Sequence, residues 1–376
     1  RSSQNCTFEN RNRLIYYSRQ ELARTICGFP VWSITISREA KNIKKKPTIV
    51  ITSRVHAGET PASVVFKGIF NFLVSDRKEA KFLRRFYTFV LVPCLNPDGV
   101  ICGNYRNSVS GVDLNRQWIN PDQHFHPEIF GIKGMMQQLT EVEKRQIWIY
   151  CDLHGHSKKK NSFFYGCNTA ANGGFLSWTI VRILPRIFGR RPTFSISRTV
   201  DSKLSPTSME LADRRLEAIL NNAFFTLENS FYGYDFGEDE AREFSEDDLK
   251  EVGSKFCDSI YELHFIWKQI RRELQITNGW LKPRGLLEKT GILLPSYSTK
   301  AGPKEEVGGQ DGSHLTVRAV LEQVLQQRLS KEEDRPAPLP SQRGHSRLRD
   351  LARSDQQLYD WGFSREENTG VRCLNR

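Results

Sequence analysis

Two hydrophobic periods alternate along the chain. Residues 48–52 (TIVIT) are apolar and β-branched, the composition of a buried strand. A helix is expected directly afterwards, because Thr60 can cap it and Pro61 suits the first helical position. Val64, Val65, Gly68, Ile69, Phe72 and Leu73 then recur at helical spacing, and residues 86–93 (FYTFVLVP) form the next strand candidate. The pattern continues with a helix over 127–146, strands over 147–153 and 162–165, and a helix over 174–188 interrupted near Pro185. A helix over 209–220, a strand over 223–227 and a final helix from 245 to about 273 complete the series. Strands alternating with helices predict an α/β fold, a mixed and mainly parallel sheet with helices on both faces. Functional groups in such folds gather at the carboxyl ends of strands.

The ends of the chain read differently. Residues 1–46 alternate polar clusters with short apolar runs and finish in KNIKKK, so they read as a lead-in segment. From residue 276 to 376, Pro, Gly, Ser and charges dominate, as in KAGPKEEVGGQDGSH, which predicts a disordered basic tail with an isolated amphipathic helix over 315–329.

A formal charge of +12 favours acidic partners without choosing among nucleic acid, anionic lipid and acidic protein tails. Eight cysteines without a CxxC pair point to a reducing compartment. No apolar stretch approaches the roughly 18 residues of a membrane span.

The candidate chemistry starts just after the first strand, where His56 and Glu59 stand three residues apart on a strand-to-helix turn. A catalytic zinc site needs about three protein nitrogen or oxygen ligands and one open position. The next strand to end in histidine is IYCDLHGHS, which offers His154 and His156. An HxxE pair alone is weak evidence, since a lone histidine is more often a hydrogen-bonded structural residue.

Six strings in ordered succession add specificity: HAGE at 56–59, LNPDGV at 95–100, GNYR at 103–106, GVDLNRQW at 111–118, DLHGHSKKKNSFFYGC at 152–167 and FTLENSF at 225–231. Over about residues 47–230 the chain resembles the zinc carboxypeptidase family, in particular its cytosolic carboxypeptidase branch. The resemblance implies a catalytic domain over 47–275 and one Zn2+ held by His56, Glu59 and His154. It implies that Asp113 orients a ligand histidine, that Asn115 and Arg116 grip the substrate's terminal carboxylate, and that Arg106 stabilises the developing oxyanion. Glu228, at the end of the apolar run AFFTLE, matches the general base. His156 is open to a role as spare ligand or substrate contact.

The match also has gaps. The branch carries a Gly-Thr-Gly-Arg string upstream of the base, absent here, so Arg214 and Arg215 are guesses for the terminal side-chain pocket, with Lys203 a third option. The wider family's tyrosine upstream of the base is missing as well. Gly58 stands where digestive relatives carry arginine. The branch has a β-sandwich domain ahead of the catalytic one, which makes residues 1–46 a remnant of it and the chain a piece of something longer.

The resemblance implies removal of C-terminal residues, above all glutamate, from acidic or polyglutamylated tails such as tubulin's. It places the chain in the cytoplasm, at microtubules or cilia, with no nucleic-acid partner. The alternatives are a zinc amidohydrolase of acylated amino acids and an inactive binder of acidic tails.

Overall fold

The computed structural model describes residues 4–10, 13–166, 174–189, 223–236 and 240–273. The expected helix over 209–220, residues Lys203, Arg214 and Arg215, and the expected tail over 276–376 lie outside the described residues.

Eight strands form one sheet in the order β1-β2-β3-β5-β4-β6-β8-β7. They are β1 (Gln4–Asn10), β2 (Arg13–Arg24), β3 (Pro30–Ser37), β4 (Thr48–Ser53), β5 (Thr88–Val92), β6 (Ile147–His156), β7 (Ser162–Gly166) and β8 (Ala223–Ser230). The parallel pairs β5-β4, β4-β6 and β6-β8 occupy the centre, with antiparallel strands outside them on both sides. The stretch before residue 47, read as a lead-in, supplies three strands of this sheet. A short hairpin, β9 (Tyr234–Phe236) with β10 (Glu240–Arg242), stands apart from it.

Six helices accompany the strands among the described residues: α1 (Thr60–Leu73), α2 (Lys78–Phe86), α3 (Pro97–Ile101), α4 (Pro127–Gln137), α5 (Gly174–Phe188) and α6 (Glu246–Glu273). The expected helix over 127–146 is shorter, because α4 loosens into a π-helical turn at Gln138–Val142. Pro185, expected to interrupt α5, lies inside it. The short α2 was not expected, being a charged segment whose buried apolar residues are only Ala80 and Leu83.

Side-chain alternation explains the layering. Val50, Val90, Val92, Tyr150 and Phe224 point to one face and pack against Ile129, Ile132 and Met136 of α4. On the opposite face Phe164 packs against Phe225 and meets Phe188 of α5 and Phe256 of α6. Helices α1 and α6 approach backbone to backbone, since a Cβ at Gly68 would lie 2.1 Å from the Lys250 carbonyl oxygen, and one at Gly253 would lie 2.2 Å from that of Val65. Among the described residues, those up to Tyr261 belong to one compact unit and those from Glu262 to Glu273 to a second.

At the start of α4 the buried Glu128 has no hydrogen-bond partner for Oε2 among the described residues. Burial pushes its pKa up to about 7, and Asp98 adds to the rise. A carboxyl group raised on folding stabilises the fold relative to its charged form below the usual carboxylate range, and that contribution is lost as pH climbs through about 7. Glu128→Gln is therefore expected to stabilise the protein at pH 8 by up to roughly 3 kcal/mol and to have little effect at pH 4, as read by urea unfolding at both pH values.

Candidate metal centre

The site forms where β4, β6 and β8 end side by side. Beyond β4 the backbone turns sharply at Arg54, whose φ of 55° is unusual for a residue with a side chain. Its guanidinium compensates by donating to the Ala57 carbonyl from Nε (3.0 Å) and Nη2 (2.6 Å), and to Ser63 Oγ from Nη1 (2.9 Å). Gly58 then donates its N–H to the Tyr105 carbonyl at 2.7 Å. A Cβ at position 58 would lie 2.6 Å from that oxygen, so the contact requires glycine and holds the GNYR loop beside the turn. Residue 59, not Thr60, takes the cap position of α1, and it makes no side-chain cap. Its carboxylate turns towards the histidines instead.

The sheet supplies the rest by register. On β6, Asp152, His154 and His156 share one face, because side chains two apart in a strand point the same way. On β8, Glu228 pairs directly with His154, and Thr52 of β4 pairs with Asp152.

His56 Nδ1 lies 2.7 Å from Glu59 Oε1, and His154 Nδ1 lies 2.9 Å from Glu59 Oε2. The Gly155 N–H donates to that same Oε2 at 3.0 Å. The two rings stand edge to face with centroids 4.9 Å apart. The outer nitrogens face carboxylates, His56 Nε2 at 3.1 Å from Asp113 Oδ1 and His154 Nε2 at 2.8 Å from Asp152 Oδ2. Asp152 is itself fixed by Thr52 Oγ1, which donates to Oδ1 at 2.7 Å. An Nε2–H given to a carboxylate leaves the Nδ1 lone pair as the metal-binding atom and raises its basicity.

One donor atom from each of His56, Glu59 and His154 lies within 4.8 Å of the other two, and all three residues are buried. The electrostatics call for positive charge there. Burial alone would raise Glu59, but the imidazoles, His154 foremost, hold it well below the usual carboxylate range. Burial would likewise lower His154, yet Asp152 and then Glu59 hold it well above its ordinary value. Two imidazole nitrogens and a carboxylate oxygen are a catalytic zinc donor set. The residues present therefore fit a zinc ion, and carboxylates that retain a proton on His154 also favour a divalent cation.

Two more groups face this cluster. Glu228 is half-buried next to it, and its buried Oε2 has no partner among the described residues. Burial pushes the Glu228 pKa up to about 7, against the pull of His154. Arg106 reaches Asp113 Oδ2 from Nε at 2.9 Å and from Nη2 at 2.7 Å, while Nη1 stands 3.5 Å from His56 Nδ1.

The segment GVDLNRQW is held by its apolar residues, because Leu114 and Trp118 are buried in the cluster beneath α4. That leaves Asp113, Asn115 and Arg116 at the surface of the site. Asn115 accepts from Trp118 Nε1 at 2.9 Å, which orients its amide and leaves both amide N–H bonds as donors. Arg116 is exposed, with Nη1 4.0 Å from Asp113 Oδ2.

Of the residues picked from sequence, the structure gathers His56, Glu59, His154, Asp113, Arg106, Glu228, Asn115 and Arg116 into one region. Asp152 and Thr52 were not anticipated. Asp152 was legible as a carboxylate two residues before a ligand candidate on a strand, hence on its face.

A family model described as zinc carboxypeptidase matches residues 16–172. Cytosolic carboxypeptidase 1 of Xenopus laevis is 35% identical over 311 residues, covering 77% of this chain and 24% of that protein. The Homo sapiens protein of the same name is 34% identical over 319 residues, 79% of this chain and 25% of that one. The chain thus spans about a quarter of the length of these relatives. Among solved structures, a metallo-carboxypeptidase from Burkholderia cenocepacia superposes with a TM-score of 0.53 at 22% identity, covering 67% of this chain and 65% of the other, a likeness of fold.

Asp152→Asn is expected to lower zinc affinity roughly 10- to 100-fold, measured by competition with a chromogenic chelator, while the far-ultraviolet circular dichroism stays unchanged.

Proposed function

The chain carries a domain of the zinc carboxypeptidase family, and from that premise we propose that it is a zinc-dependent metallocarboxypeptidase acting on acidic C-terminal tails. The reading rests chiefly on one observation: Glu228, whose buried Oε2 has no partner among the described residues, stands in register with His154 beside the His56–Glu59–His154 group. Zinc bound there would lower the pKa of a water molecule and polarise a carbonyl group.

The remaining work falls to the chain's own side chains. Glu228, with a pKa near neutrality, can take up a proton from the attacking water and pass it to the leaving amine. Arg106 has Nε and Nη2 engaged by Asp113, which fixes the guanidinium and directs it at the charge developing on the scissile oxygen. Arg116 offers a planar fork of donors to the terminal carboxylate, and the oriented Asn115 amide adds its own N–H groups. Recognition of that carboxylate restricts cleavage to chain ends. In this reading Arg214 and Arg215, which lie outside the described residues, are the candidates for recognising the terminal side chain, with Lys203 a third.

The substrate class in this proposal is glutamate at the end of acidic or polyglutamylated tails, with tubulin as the example. It is supported by the net charge of +12 and by Lys158, Lys159 and Lys160 immediately after the histidine strand, which would steer acidic chains inward. A cytoplasmic location, with association to microtubules or cilia, belongs to the same proposal. The relatives' names support the cytosolic part, and no described helix is long and apolar enough to cross a membrane.

The zinc-loaded chain is expected to shorten synthetic tails ending in glutamate by one residue at a time, followed by mass spectrometry, and a chelator should abolish this. Glu228→Gln should lower kcat by about 10²- to 10⁴-fold with KM little changed. Tails that bind the wild-type chain without being shortened would make it a binder of acidic tails instead.

A further inference from the structure

His156 is left over by the chemistry above, yet it is held more firmly than a half-exposed side chain requires. Its Nδ1 accepts two backbone N–H groups, from Lys158 at 3.2 Å and Lys159 at 2.9 Å. An atom that accepts two donors carries no proton, so the neutral ring has its hydrogen on Nε2. The ring plane is set as well, by an edge-to-face contact with Phe163 at 5.0 Å.

The loop that supplies those amides is pinned at its far end. Asn161 sits in left-handed backbone at φ 72° and donates its N–H to the Gly233 carbonyl at 2.8 Å. Its carbonyl accepts from Ser230 at 3.1 Å, and its amide exchanges two hydrogen bonds of 2.9 Å with Asp235. Lys159 lies over the Phe163 and Tyr165 rings, Lys160 pairs with Asp235 at 3.1 Å, and Lys158 is exposed. The whole loop is therefore a rigid mount for one N–H donor.

The position of that donor is set by the sheet. His156 follows His154 on the same face of β6, about 6.7 Å further along the strand, and pairs with Ser230 as His154 pairs with Glu228. Asp113 binds His56, which follows β4, and Arg116 stands 4.0 Å from Asp113, whereas His156 contacts Phe163 of β7, on the other side of β8 from β6. A peptide whose terminal carboxylate is gripped on the first side leaves across the second. An extended chain covers about 6.7 Å in two residues.

We propose that His156 Nε2–H is a fixed donor for an acidic side chain within the two residues upstream of the scissile bond, with Lys158 adding positive charge to the same loop. This rests on the carboxypeptidase reading for the direction of the substrate. It makes His156 a specificity residue that acts through a neutral hydrogen bond.

The test separates the mount from the donor. Asparagine at this position keeps an acceptor where Nδ1 stands and loses the Nε2 donor, whereas glutamine keeps a donor near Nε2 and loses the tether. The full chain, zinc-loaded and carrying Glu228→Gln to prevent turnover, is titrated calorimetrically with two heptapeptides ending in glutamate. They differ only in carrying Glu-Glu or Gln-Gln at the two positions upstream of the terminal residue. The Glu-Glu peptide should bind roughly tenfold more tightly, a preference that His156→Asn reduces severalfold, leaving the part due to Lys158, and that His156→Gln keeps better than His156→Asn. An unchanged preference in His156→Asn, or none in the parent, overturns the proposal. A parallel assay of the wild-type chain on the same peptides keeps the two readings apart. A His156-dependent binding preference without cleavage would leave the donor role standing and remove the peptidase activity.

Discussion

A buried carboxylate must meet positive charge, and in this chain that requirement organises the centre of the molecule. Glu59 faces both imidazoles and a backbone amide, and each imidazole leans on a second carboxylate behind it. The result is a layered arrangement of three carboxylates around two rings. Removing any partner would leave a charged group out of water without compensation. Such an arrangement is stable only with cationic occupancy of its middle, by protons or by a metal.

The scaffold meets this requirement mostly through backbone. Parallel strands ending at the same level place Thr52, Asp152, His154 and Glu228 in adjacent register. The loops that complete the site are fastened to that level by main-chain contacts, Gly58 to Tyr105, Leu95 to Ser53 and Asn96 to Arg54. Apolar anchors do the same for the segment bearing Asp113, with Leu114 and Trp118 buried on either side of the exposed polar residues. Positions that read as loop in sequence are thereby tied to the strand ends.

Legibility in the sequence followed the physics of each element. The central strands and α1 were readable because burial on one or both faces imposes a strict apolar period. The bend of α4 into a π turn was not, since it depends on how residues after Gln137 pack and not on their polarity. Glu59 as the cap residue of α1 was missed for a related reason. Thr60 has the better intrinsic capping chemistry, but the tertiary demand for a carboxylate beside two histidines moved the helix start by one residue. The His56–Glu59–His154 cluster was legible as motifs, while Asp152 needed the two-residue periodicity of the strand that carries His154. The tether of His156 left no trace in sequence, because backbone amides are its donors.

The antiparallel partnership of β3 with β5 carries a consequence for any shortened form of the protein. Ile34, Thr35 and Ile36 supply the hydrogen-bonding neighbours of Phe89, Val90 and Leu91. A polypeptide started at residue 47 would keep every metal-facing side chain and still present β5 as a bare apolar edge, a template on which molecules stick to one another. The first 46 residues, remote from the chemistry, thus act as a solubility seal for the sheet that bears it.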